Sequence, residues 1–218
     1  MNILIIGASR GIGAALARRA AEAGHSVSGT VRSGEAEGGA RTLHLDVTDG
    51  ESIQRAAAEW DGPLDCLIHN AGINSDEGQD FGSADPEVWA RMFDVNVLGP
   101  LRVAEAFHPH LKQGTNPRAT FVSSQLGSMS LGGGVGYPAY NMTKAALNKM
   151  VQDLSAAWKP AGITVLSLHP GWVQTDTGGP NAAITPEASA RGILDVVTSK
   201  SMDDTGTFWN WNGKPHAW

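Results

Sequence analysis

The chain has a single cysteine, Cys66. It can form no internal disulfide and no metal site made of several thiolates, and its place in the apolar run 64–68 gives it a packing role. The seven histidines are scattered and include no H-E-x-x-H pair, so no metal is expected. No run of about eighteen apolar residues occurs, which leaves nothing to cross a membrane as a helix. No dense basic cluster occurs either, and the formal net charge is −6. A nucleic-acid groove is therefore not expected. The N-terminus enters a hydrophobic strand without a charged leader or cleavage signal, which favours the cytoplasm. Neither a domain boundary nor an internal repeat is visible, so 1–218 reads as one domain with one core.

What is present begins with residues 1–13, MNILIIGASRGIG. Ile3, Leu4, Ile5 and Ile6 form a continuous apolar run, which suits a strand buried on both faces. Gly7, Gly11 and Gly13 follow, and 12–23 reads as an alanine-rich helix. A strand, a glycine turn and a helix put unpaired backbone N–H groups over the turn, where a pyrophosphate can sit. Glycines let backbone approach phosphate and helix approach strand. The spacing is G-x-x-x-G-x-G, and a dinucleotide is the expected ligand. A second strand over 27–31 runs out next to Arg32, at the edge that faces the ligand in an open parallel sheet. No Asp or Glu occupies 30–33 to take the ribose 2′-hydroxyl of NAD. Arg32, and Arg10 in the glycine loop, can pair with the 2′-phosphate of NADP; two solvated arginines are the plainer alternative. NADP is expected over NAD.

Further strands are expected over 42–47, 64–69, 119–123, 163–168 and 207–211, with helices over 49–60, 86–112, 140–158 and 187–198. Asp49 caps one helix, Pro86 suits the first turn of the next, and Thr185 with Pro186 opens the last. Strands alternating with helices predict a single-domain α/β doubly wound (Rossmann) fold. Its central seven-stranded sheet is mostly parallel, with helices on both faces. The segment 33–40 is a polar surface loop, 127–136 a flexible glycine-rich one, and 178–183 a polar, mobile one. Asn70, Ala71 and Gly72 stand at the end of the fourth strand. Gly72 suits a tight turn, and Asn70 either holds the backbone of a neighbouring strand or lines the cofactor channel. Asn96 is polar among Phe93, Val95, Val97 and Leu98. It makes either one satisfied core hydrogen bond or a local irregularity whose backbone carbonyl holds a water.

The ligand-facing edge carries Ser124 at a strand end, with Tyr140 and Lys144 four apart on one helix face. Acyl transfer would want a G-x-S-x-G elbow, which is missing. His169 ends a strand, but no acid partner for it is evident. Hydride transfer from a nicotinamide to a carbonyl asks for a different set. The carbonyl oxygen must be held and then protonated, which a tyrosine can do if its pKa of about 10 is lowered. A nearby lysine stabilises the phenolate and can grip the nicotinamide ribose, and a serine hydroxyl can hold the substrate oxygen.

These residues, read together, resemble the short-chain dehydrogenase/reductase family over nearly the whole chain. The match falls on 7–13 (GASRGIG), Asp46-Val47, Asn70-Ala71-Gly72, Asn96, Ser124, 140–144 (YNMTK) and Pro170-Gly171 followed by Thr175. The resemblance implies that Ser124, Tyr140, Lys144 and Asn96 are catalytic, Asn96 by supporting a proton-relay water joined to the lysine. It implies cofactor contacts from Gly7, Ser9, Arg10, Gly11, Ile12, Gly13, Arg32, Asp46, Val47, Asn70, Ala71 and Gly72. Tyr140, Lys144, Pro170, Gly171, Val173 and Thr175 complete that set. Asp46 would meet the adenine, and the turn from Pro170 to Thr175 the carboxamide. The chain departs from the family pattern at Ile6, His69 and Thr143, none of which removes a catalytic group. The interval from Ser124 to Tyr140 is longer than usual, which leaves Ser123 as a rival to Ser124. SSQLGS, YNMTKAALN and HPGWVQTDTGGP resemble the C-factor and sniffer-like carbonyl reductase subgroup, as does the segment 208–218.

The expected function is NADPH-dependent reduction of a small or medium apolar ketone, aldehyde or quinone, with Tyr140 as general acid/base. Substrate would enter near Leu126, Met129, Tyr137, Trp172 and a loop over about 172–185. Two alternatives stand: an NAD(P)-binding signalling protein of the C-factor type, and a dehydrogenase working on an alcohol in the oxidising direction. The helices over 86–112 and 140–158 resemble the pair through which relatives dimerise, so a homodimer, extending to a homotetramer, is expected.

Overall fold

The computed structural model describes residues 1–75, 79–131 and 136–218. The expected glycine-rich loop 127–136 therefore lies outside the described residues at 132–135. The strands are β1 (Asn2–Ile6), β2 (Ser26–Val31), β3 (Arg41–His44), β4 (Cys66–His69), β5 (Arg118–Val122), β6 (Thr164–His169) and β7 (Thr207–Asn210). The helices are α1 (Gly11–Glu22), α2 (Gly50–Glu59), α3 (Pro86–Phe93), α4 (Gly99–Leu111), α5 (Pro138–Trp158) and α6 (Pro186–Ser199). The seven strands lie in the order β3-β2-β1-β4-β5-β6-β7, and every pairing in the sheet is parallel.

The apolar run in β1 explains itself in this frame. Ile3 and Ile5 enter the core under α1 and α6, and Leu4 and Ile6 enter the core under α2, α4 and α5. All four are fully buried, each worth about 1.5–3 kcal/mol of transfer free energy as an upper bound. A strand with one wet face would have alternated; this one cannot. Asp49 caps α2 by accepting from the Glu51 and Ser52 N–H groups, and Thr185 caps α6 by accepting from Ala188 N–H.

Three expected elements differ. The helix over 86–112 is broken by a π turn at Asp94–Leu98, with Asn96 at its centre. The strand expected through Val47 stops at His44, because the Asp46 carboxylate takes up the Thr48 N–H at 2.9 Å and its hydroxyl at 2.7 Å and turns the chain aside. The segment 178–183 is tied rather than loose. Gln174 Nε2 donates to the Ala182 carbonyl at 3.0 Å, and Ile184 N–H donates to the Trp172 carbonyl at 3.1 Å.

Candidate active site

The strand order reverses at β1, whose neighbours are β2 and β4, and a crevice opens at such a point beyond the strand ends. Gly7 stands there with φ +84°, and a Cβ on it would meet Ala71 at 3.0 Å. A Cβ on Gly13 would fall 1.9 Å from the Gly7 carbonyl oxygen. Both glycines are therefore fixed by backbone contact. Asn70 Nδ2 donates to the Gly7 carbonyl at 3.0 Å, so of its two expected roles it performs the holding of a neighbouring strand. Gly7 N–H donates to Thr30 Oγ1 at 3.0 Å. Arg10 is the extended N-cap of α1 without a side-chain cap, and the first turn has no acidic residue. That helix end suits an anion. Ser9 is exposed in the turn and Ile12 half-buried.

The far wall of the crevice is the chain after β6. Gly171 has φ +86°, and a Cβ there would lie 2.5 Å from Ile184 Cδ1. Pro170 accepts the Ser189 hydroxyl at 2.7 Å, and Val173 is buried and bridged to Ile184. A Cβ on Gly11 would touch Thr175 Cγ2 at 3.2 Å. Across the same gap Arg10 pairs with Asp176 at 3.1 Å. Arg32 is exposed beyond β2. Asp46 is held below the usual carboxylate range chiefly by its Thr48 bonds, with Arg32 and Arg91 adding weaker attraction. Val47 packs on Gly99, where a Cβ would come within 2.9 Å of it.

The reacting side chains converge beside β4 and β5. The Ser124 and Tyr140 hydroxyls are hydrogen-bonded to one another. Lys144 Nζ donates to the Val122 carbonyl at 3.0 Å and lies over the Tyr140 ring, 5.5 Å from its centroid. Burial lowers Lys144 to about 8. Burial raises Tyr140 to about 12, and the Ser124 bond pulls it partly back. The expected lowering by lysine thus does not decide the direction: burial of the phenol outweighs what lowers it. Tyr140 keeps its proton at neutral pH, the form required of an acid. A Cβ on Gly72 would lie 3.2 Å from Asn96 Oδ1 and 3.6 Å from Lys144 Nζ, so these three meet. The Asn96 amide is fully used. It accepts from Ile73 N–H at 2.8 Å and donates to the Ile73 carbonyl at 2.8 Å and to Thr143 Oγ1 at 3.1 Å. The satisfied side chain and the local irregularity expected of Asn96 thus occur together.

A family model described as short chain dehydrogenase matches residues 1–183. The chain belongs to that family. It is 42% identical over 157 residues to C-signal of Myxococcus xanthus, covering 72% of this chain and 94% of that protein. The structure is similar to carbonyl reductase Sniffer of D. melanogaster, with TM-score 0.93, 26% identity and coverage of 100% and 99%. It is also similar to a carbonyl reductase from Pseudomonas aeruginosa solved in complex with NADP, with TM-score 0.88, 32% identity and coverage of 100% and 99%.

Ser123 and Ser124 separate by what each hydroxyl does. Ser123 Oγ turns to the Lys144 carbonyl at 3.4 Å, away from Tyr140, while Ser124 bonds Tyr140 and accepts from Leu126 N–H at 3.1 Å. The sequence reading missed the supports of this short-chain dehydrogenase site. Gly127 is pressed on α5, where a Cβ would lie 2.6 Å from the Lys144 carbonyl carbon. Asn148 donates to the Gly127 carbonyl at 3.1 Å and accepts the Ser167 hydroxyl at 2.7 Å. An asparagine on the buried stripe of α5, four residues past Lys144, was the available signal. Met129, Leu131, Tyr137 and Trp172 are exposed large apolar side chains on segments flanking the cleft. Among the described residues no three His, Cys, Asp or Glu gather as metal ligands, and no helix is long and apolar enough to cross a membrane.

Proposed function

We propose that the protein is an NADPH-dependent carbonyl reductase for small or medium apolar ketones, aldehydes or quinones. The observation that carries this reading is the Ser124–Tyr140 hydrogen bond with Lys144 over the tyrosine ring, set beside a glycine cradle that admits no Cβ. That cradle and the uncapped start of α1 fit a dinucleotide. Bound NADPH would supply a hydride to the carbonyl carbon. Ser124 and Tyr140 hold the carbonyl oxygen, and Tyr140 gives its proton as negative charge develops there. Lys144 supports the resulting phenolate and the nicotinamide ribose, and the Asn96 main chain holds the water that restores the proton. Arg32 and Arg10 take the 2′-phosphate.

The apolar rim of Met129, Leu131, Tyr137 and Trp172 supports an uncharged, apolar substrate, with 172–185 as the substrate loop. Leu98 and Met142 are exposed on the α4 and α5 side, which supports a homodimer, and in turn a tetramer, built on those helices. The lone buried thiol and the NADPH requirement support the cytoplasm. The test is NADPH consumption with a carbonyl panel. Turnover that falls about 10²- to 10⁴-fold in Tyr140→Phe is the expected result. Absence of turnover across the panel would overturn it. The 42% identity to C-signal favours a second reading as an NAD(P)-binding signalling protein, for which NADPH would bind without turnover. The same site would also serve alcohol oxidation when substrate and cofactor ratio favour that direction.

A further inference from the structure

We propose that His169 is a positioning residue that holds Ser124 in place through the backbone of the next residue. The inference rests on the reductase reading above, since it concerns how that site is kept in register.

The Ser124 hydroxyl sits at the start of a single short turn, Gln125–Gly127. A turn that short has no helix to anchor it, so its first N–H groups must find partners individually. Gly127 N–H finds the Ser124 carbonyl at 3.0 Å, and Leu126 N–H finds Ser124 Oγ at 3.1 Å. Gln125 N–H has neither. It donates to Nδ1 of His169 at 3.2 Å, across a sequence gap that only the sheet closes. The acceptor role fixes the tautomer: Nδ1 is bare and the proton is on Nε2. Burial, with a smaller effect from His216, pushes the imidazole down to about 4, so it stays an acceptor at neutral pH.

The histidine is itself clamped. Ser123 N–H donates to the Leu168 carbonyl at 2.8 Å, and Trp211 N–H donates to the His169 carbonyl at 2.8 Å. The ring is buried and packs edge-on against His216 at 5.5 Å. A rigid imidazole therefore sets where Gln125 N–H lies, and so where the preceding residue aims its hydroxyl at Tyr140. Losing that acceptor would leave the part-buried Gln125 N–H without the one bond that ties it to β6, and let the turn shift. A shift of about 1 Å in a reacting group costs up to about 10²-fold in rate.

Asparagine and glutamine at this position decide the matter. The Asn Oδ1 overlies the histidine Nδ1 position, whereas Gln places its oxygen one bond further out. His169→Asn should keep kcat within about threefold of wild type. His169→Gln should lose about 10- to 100-fold in kcat, with the NADPH Kd unchanged within about twofold. In a Ser124→Ala background His169→Gln should cost less than about twofold more, because the group it positions is gone. A second readout does not need turnover. The chain has two tyrosines, so protein labelled at tyrosine 13Cζ gives two resonances, assigned with Tyr137→Phe. Ser124→Ala and His169→Gln should move the Tyr140 resonance in the same direction, and His169→Asn should leave it in place. Equal loss in both His169 variants, full activity in His169→Gln, or an independent multiplicative loss on top of Ser124→Ala would overturn the assignment. If wild type reduces no carbonyl, the reductase reading fails, and the resonance shifts alone decide the role of His169.

Discussion

The two halves of the cleft are held by different means. On the cofactor side, the turn between β1 and α1 is shaped by backbone against backbone: Gly13 against the Gly7 carbonyl, Gly7 against Ala71. On the reaction side, the turn after β5 presses one glycine, Gly127, on the α5 backbone, but is otherwise held by side chains arriving from distant strands and helices: His169, Asn148, Ser167 and Lys144. The first arrangement tolerates no added atom, and the second tolerates isosteric exchange. The difference predicts different failures. Glycine substitutions should break the fold on one side, while polar substitutions should break only the chemistry on the other.

The largest effect tests the first half. Gly13→Ala puts a Cβ 1.9 Å from a carbonyl oxygen that is itself bonded to Asn70. The β1 end cannot retreat from α1, because β1 is paired on both sides. The variant should yield no soluble folded protein, read by circular dichroism and expression. Recovery of a folded variant that binds NADPH normally would break the contrast between the halves.

Next comes Lys144, which separates chemistry from stability. Lys144→Met should lower kcat about 10²- to 10³-fold, yet melt a few degrees higher than wild type at pH 7. The sign follows from burial. Lys144 falls from 10.5 to about 8 in the folded protein, so below pH 8 the fold bears the full cost of an enclosed ammonium, about 3 kcal/mol. The unmet Val122 carbonyl in the variant offsets about 1–2 kcal/mol of the gain. Between pH 8 and 10.5 the wild-type fold sheds the proton while the unfolded chain keeps it. Wild-type stability therefore rises with pH there, and the gap to Lys144→Met closes. Carbonyl reduction by wild type should fall along an alkaline limb near pH 8. A melting gap that is constant from pH 7 to 10 would sink this account.

The same contrast governs what was legible in the sequence. Gly13, Asp49 and Thr185 act on neighbours within a few positions, while Gly7 and the apolar run of β1 pack on distant elements but show themselves in local spacing, so local pattern sufficed to find them all. Tyr140 and Lys144 were legible because one helix turn brings them to one face. The parallel sheet followed from the alternation of strands and helices. What stayed hidden acts across the sheet. Asn148 and His169 support a turn more than twenty residues away in sequence, as their bonds to Gly127 and Gln125 show, and no spacing rule relates them. The π turn at Asn96 was half legible: the polar residue was visible in an apolar stretch, but not that its amide closes onto Ile73 and Thr143. Tyr140 was found but its electrostatics were not, since the direction of its shift is set by burial.

At the adenosine end the comparison sharpens by charge reversal. Arg32→Asp should weaken NADPH about 10- to 100-fold and NADH by less than about threefold, since only NADPH brings a 2′-phosphate to that edge. Tryptophan fluorescence titration with each cofactor is the measurement, and equal losses for both would remove Arg32 from the site.

The smallest effect is expected at the ion pair that joins the two halves. Arg10 of the glycine turn meets Asp176 of the far wall at 3.1 Å, with both side chains about three-quarters exposed, at 76% and 74%. A pair so open to water contributes little to stability, so Asp176→Asn should melt within about 1 °C of wild type. Its effect on binding should have the opposite sign from a structural lesion. Asp176 competes with the cofactor's phosphates for the same guanidinium, so removing the carboxylate should tighten NADPH about two- to threefold at low salt. The gain should vanish toward 1 M salt, where the Debye length is about 3 Å. Weaker NADPH binding in Asp176→Asn would mean the opposite: that the aspartate aims Arg10 at the phosphates, and that the two walls of the cleft are joined to bind rather than to compete.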